Sequence, residues 1–181
     1  MDSLTPTDEW NKMIADIEVK EEKSVRVNIS LSDKCYKTID FYKETVGLSS
    51  GRTDFIVTAI KYFYFDTMER LKKIISEEFE DLPPREQLHQ LKSLVEDRVE
   101  SGLGASKILY EGKRAQQTTI YISDRLKNGL EDLESLSGKK VGEIILAAIA
   151  IYHQNLSSQI DHRNSVIGKY NKLLAEVRKN R

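Results

Sequence analysis

Disulfides, metal clusters and membrane spans find little to be built from in this chain. Its single cysteine, Cys35, excludes an internal bridge. Its histidines are His89, His153 and His162, and the last two stand too far apart to share one helical face as ligands. No apolar run approaches the length of a bilayer span and no signal-peptide pattern opens the chain, so a cytoplasmic protein is expected, with no membrane partner. Gly-x-Ser-x-Gly, P-loop and dinucleotide fingerprints are absent. Gly102-Leu103-Gly104 lacks the third glycine and a preceding strand, and reads as a linker. Cys35 has no identifiable His partner and sits at a core position. No catalytic residue, cofactor or metal site is therefore expected, and the chain does not read as an enzyme. A net charge of −1 also withholds the basic balance typical of nucleic-acid-binding domains.

What is present is a short alternating stretch, Ser24–Ser32. Val25, Val27, Ile29 and Leu31 alternate with Arg26, Asn28 and Ser30. Side chains along a strand point to opposite faces, so this is a strand with one oily and one polar face. Arg and Asn are the side chains best matched to guanine and adenine edges, and a two-stranded ribbon carrying them fits the major groove. The plainer alternative is an edge strand with a solvated face.

Two observations bear on that alternative. After the strand, Cys35, Tyr36, Ile39, Tyr42 and Val46 follow a helical period, with Ser32 as N-cap and Gly47 as the terminating residue. Thr53 is placed to cap a second helix bearing Phe55, Ile56, Ala59, Ile60, Phe63, Tyr64, Met68 and Leu71, with Asp54 in its first turn. The whole pattern then recurs. Gln116–Leu126 lies over Val25–Cys35 at an offset of 91, matching Ile120 to Ile29, Ile122 to Leu31, Ser123 to Ser32 and Asp124 to Asp33. Leu126, Leu130 and Leu133 fall on Cys35, Ile39 and Tyr42. Beyond the inter-helix turn the offset is 89, so Gly142-Glu143-Ile144-Ile145 matches Thr53-Asp54-Phe55-Ile56, and Ala148-Ile149 matches Ala59-Ile60.

The duplicated order strand, helix, Gly-turn, capped apolar helix resembles the ribbon-helix-helix (MetJ/Arc/CopG-like) superfamily of DNA-binding proteins, across roughly half the chain. The resemblance implies a fold that is mainly α with a short two-stranded antiparallel β-ribbon, a tandem ribbon-helix-helix pseudo-dimer plus extra helices. It also implies a base-contacting row of Arg26, Asn28 and Ser30 on one strand and Gln117, Thr119 and Tyr121 on the other. Asn28 then lies opposite Thr119, Arg26 near Tyr121 and Ser30 near Gln117, so the target within one groove is asymmetric. Carried over likewise, the start of each second helix grips phosphate: Arg52, Thr53 and Asp54 at one, Val141, Gly142 and Glu143 at the other, with Lys139 and Lys140 assisting. Gly142 has no side chain with which to cap, which makes the second clamp the looser one. Thr118, where the first copy has Val27, weakens the second strand's inner face.

The remaining segments fall around these units. Residues 1–22 form an N-terminal arm in which Trp10, Met13, Ile14 and Ile17 share a helical face, suited to docking on the domain or to binding a partner. Residues 23–80 hold the first unit. Its second helix continues through Ile74, Ile75 and Phe79 to Pro83-Pro84, a length of about 27 residues and roughly 40 Å. Residues 81–115 are a helical connector with Leu88, Leu91, Leu94, Val95 and Val99 in register, broken at Ser101–Gly104. The acids gather there, nine against four bases over 76–111, away from the expected groove face. Residues 116–160 hold the second unit, and 161–181 a basic helix with Arg163, Lys169, Lys172, Arg178, Lys179 and Arg181 against Glu176, which polar Asp161–Ser165 can interrupt. A solvated helix, an oligomerisation helix and a DNA-backbone contact all suit that end, so homo-oligomers through either terminus are open.

Three functions suit this reading. One is a sequence-specific double-stranded DNA-binding protein acting as a transcriptional repressor. Another is an accessory DNA-binding protein of a mobile element, in conjugative transfer or plasmid partition. The third is an antitoxin-type interaction protein, against which the helical periodicity of both ends argues.

Overall fold

Alternation of oily and polar residues makes Val25–Ser32 the strand β1, and its counterpart in the repeat, Ala115–Ile122, is the strand β2. They form an antiparallel two-stranded sheet in the computed structural model, which describes residues 25–46, 51–79, 81–110 and 115–179. The expected Trp10 stripe and the turn at Gly47 lie outside the described residues. Pairing runs from Val25–Ile122 to Ser32–Ala115, with Arg26 opposite Tyr121, Asn28 opposite Thr119 and Ser30 opposite Gln117, as expected. At the 91-residue offset Asn28 and Thr119 are equivalent positions, so the ladder extends symmetrically from that pair.

The inner face carries Ile29, Leu31, Ile120 and Ile122, each at most 4 % exposed. Burying an aliphatic side chain of this size is worth roughly 1.5–3 kcal/mol, so these four residues hold the ribbon onto the helices. Val25, Val27 and Thr118 on the same face are half-buried, and Thr118 is the polar weak point anticipated there.

Each strand feeds a capped helix. Helix α1 is Asp33–Val46, where Ser32 Oγ accepts the Cys35 N–H at 3.1 Å; helix α4 is Asp124–Ser137, where Ser123 Oγ accepts the Leu126 N–H at 3.2 Å. Helix α4 ends at Gly138, whose φ of 68° needs no Cβ and lets its N–H reach Glu134 O at 2.9 Å. Gly138 stands 91 residues after Gly47.

The second helices are α2, Arg52–Glu78, and α5, Val141–Lys179, of 27 and 39 residues. Between the units lies α3, Pro84–Tyr110, with Pro84 at its first position, where no N–H is required. Phe55, Ile56, Ile60 and Phe63 of α2 and Ile144, Ile145, Ala148 and Ile149 of α5 are core residues, none above 2 % exposed. Helix α3 packs chiefly on α5 and α4 and only secondarily on α2.

Three expectations about helix limits are corrected. Ser101–Gly104 does not break the connector helix. Gly102 lies where an added Cβ would be 2.6 Å from Ala147 Cβ, so glycine there permits α3 and α5 to approach closely. Asp161–Ser165 does not interrupt α5, because polar side chains on an exposed helix leave the backbone ladder intact. Thr53 is not the N-cap of α2; that residue is Gly51.

Polar links tie the layers together. Tyr42 Oη of α1 is 2.7 Å from His153 Nδ1 and 2.5 Å from Ser157 Oγ, both on α5. Asn155 Nδ2 donates to Tyr62 Oη at 2.7 Å, joining α5 to α2. Ser32 Oγ donates to Leu109 O, fastening the end of α3 to β1. Asp66 of α2 receives Arg70 from its own helix and Arg98 from α3. Among the described residues no helix is long and apolar enough to cross a membrane.

Candidate nucleic-acid interface

The outer face of the ribbon follows from the same alternation that buries the inner one. Arg26, Asn28, Ser30, Gln117 and Tyr121 are exposed and Thr119 is half-buried. The structure thus brings all six expected residues onto one face. At its centre Thr119 Oγ1 donates to Asn28 Oδ1 at 2.9 Å. This bond orients the Asn28 amide while leaving its two N–H donors and a second oxygen lone pair for a ligand. Sequence spacing placed the two residues opposite each other but gave no sign that they bond. Tyr121 is 50 % exposed, beside Arg26 across the ladder. Outside the row, Gln116 Nε2 donates to Asp33 Oδ1 at 3.1 Å, placing an acid at the ribbon's flank.

The starts of α2 and α5 are built alike. Asp54 Oδ2 accepts the Gly51 N–H at 3.1 Å, and Glu143 Oε2 accepts the Lys140 N–H at 2.9 Å. Each carboxylate belongs to the third helical residue and reaches back to the residue before the helix, half of a capping box. Asp54 and Glu143 are therefore carboxylates serving their own helices, and they oppose rather than attract an added anion. The expected difference between the two starts falls away as well, because neither Thr53 nor Gly142 does the capping. The amides of Arg52, Thr53, Val141 and Gly142 remain the first-turn donors without a helical acceptor.

The nominated cations divide in two. Arg52 donates from Nε to Asp40 Oδ1 at 2.8 Å and from Nη2 to Oδ2 at 2.6 Å, while its guanidinium lies 4.9 Å from the centre of the Tyr36 ring. The hydrogen bond from Arg52 holds the Asp40 carboxyl below its ordinary range, and the same bond raises Arg52. Lys139 Nζ lies 2.8 Å from Glu100 Oε1 of α3, and that bond raises the lysine. The acid-rich connector thus reaches the start of α5, contrary to the expected separation. Lys140 is exposed and, among the described residues, its ammonium has no carboxylate partner. Arg52 and Lys139 are available to phosphate only in competition with these carboxylates.

Chemistry elsewhere is subdued. Burial pushes the Cys35 thiol up to about 11, so it stays protonated at neutral pH. Among the described residues no three His, Cys, Asp or Glu side chains are grouped to hold a metal ion. In comparisons with known proteins no family model matches the chain, and no curated protein or solved structure matches it.

Proposed function

We propose that this chain is a sequence-specific double-stranded DNA-binding protein of ribbon-helix-helix type, a pseudo-dimer within one chain, acting as a transcriptional repressor or regulator. The observation that carries the reading is the outer row Arg26, Asn28, Ser30, Gln117, Thr119 and Tyr121 on a ribbon whose repeat-equivalent residues pair about Asn28 and Thr119. Such a ribbon fits the width of the major groove, where Arg matches guanine and Asn matches adenine in bidentate fashion. Thr119 holds the Asn28 amide ready for that contact. The free first-turn amides of α2 and α5 supply phosphate contacts, with Lys140 beside the second. Affinity falls with salt through counterion release, but only modestly for a chain of net charge −1.

The test compares Asn28→Ala and Arg26→Ala with the parent on a duplex selected by the parent and on a scrambled duplex. A good bidentate pair discriminates by about 1–3 kcal/mol, so each variant loses its advantage on the selected duplex and keeps its binding to the scrambled one. Equal losses on both duplexes would reduce the row to a non-specific contact.

A further inference from the structure

The second half of α5 stands apart from the rest of the molecule. Residues 161–172 are exposed without exception, and Val166, Ile167 and Tyr170 are 51 %, 46 % and 61 % exposed. A helix surrounded by water persists through strong helix formers or through many ion pairs one turn apart. This stretch has few ion pairs, and its helix formers gather toward its end, from Lys172 to Lys179. Asp161 and Glu176 are its only acids up to Lys179, and Gly168 costs about 1 kcal/mol relative to alanine. Its exposed Val166, Ile167 and Tyr170 offer an apolar face to a packing partner.

The sequence register indicates which partner. Ile160, Ile167 and Leu174 recur at one heptad position and Tyr170 and Val177 at the other apolar one, with Arg163 as the exception. The positions flanking this seam are Asn164, Val166, Asn171 and Leu173, all uncharged, and Arg178 alone breaks the rule. Asp161, Lys169, Lys172, Glu176 and Lys179 fall on the outer positions. An acidic partner calls for a basic flank, and Arg178 is the one charge on the flank here. Two copies of the same helix close along it with few like charges opposed. We propose that α5 beyond Ile160 is the docking surface for a second copy of this chain, as a two-stranded coiled coil. Arg163 in the seam and a length of about two and a half heptads make the dimer reversible.

Sedimentation velocity of the full chain over a wide concentration range tests this. The expected result is a shift from one-chain to two-chain mass as concentration rises. Ile167→Asp/Tyr170→Asp, at exposed positions that leave the core untouched, keeps the one-chain mass throughout, with an unchanged melting temperature at low concentration. Trp10→Asp, in the N-terminal arm, leaves the dimer intact. One-chain mass for the parent at every concentration, a dimer surviving the double substitution, or a dimer lost through Trp10→Asp would each overturn the proposal.

Discussion

The two strand–helix–helix units share the inner strand face and the helix starts, and differ on the outer face of the ribbon. Ile29 and Leu31 face the core as Ile120 and Ile122 do, and Ser32 caps its helix as Ser123 does. Both second helices start with a carboxylate reaching back one turn. On the outer face Arg26, Asn28 and Ser30 stand where the second unit has Gln117, Thr119 and Tyr121. A shared interior requires apolar residues at equivalent positions, whereas a surface facing water imposes no such demand. The proposed specificity therefore lives in the part of the repeat that is not repeated.

The largest effect comes from breaking the shared interior. Ile29→Asp or Ile120→Asp forces a charge into an apolar layer, and each costs more than about 4 kcal/mol by denaturant titration. If either is tolerated, the two inner faces are not equivalent.

A contrast inside α3 comes next. Gly102→Ala drives a methyl group into Ala147 and destabilises by roughly 1–3 kcal/mol. Gly104→Ala meets nothing within 4 Å and stabilises by about 0.5–1 kcal/mol through helix propensity alone. Thermal melts read the two opposite signs directly.

The helix starts offer a smaller and paired effect. Asp54→Ala and Glu143→Ala each remove one amide acceptor, and each lowers stability by about 0.5–1 kcal/mol. On the DNA-binding reading both also raise duplex affinity, because a negative charge leaves the phosphate position. Filter binding that shows no gain for either would remove these helix starts from the interface.

The smallest effect depends on pH. Burial lowers His153 from its ordinary value of 6.5, so the unfolded chain takes up its proton first. The stability held by neutral His153 is fully present above that value and is lost as pH falls through it toward the lower folded value. His153→Asn flattens this dependence in denaturant midpoints measured between neutral and mildly acidic pH.

Much of this was legible in the residues. Alternation located the first strand, and one constant offset located the second and set their register, because antiparallel pairing about the centre of a repeat brings equivalent residues together. Ser32 and Ser123 announced their helices through their hydroxyls. The starts of α2 and α5 were harder, since Gly51 and Lys140 carry no capping oxygen and the acceptor lies three residues on. Gly102 was opaque for a different reason. A glycine that breaks a helix and one that lets two helices touch look alike until Ala147, 45 residues away in sequence, is known to lie against it. The carboxylate partners of Arg52 and Lys139 were equally hidden, because Asp40 and Glu100 belong to other helices.

The most direct test makes the two outer rows identical. Arg26→Gln/Asn28→Thr/Ser30→Tyr gives the first strand the second strand's row without touching the core. Duplexes selected from a random pool by the parent and by this variant are then compared. The expected result is a non-palindromic site for the parent and a palindromic one, centred on the ribbon, for the variant. The same motif from both proteins, or no motif from either, would contradict it.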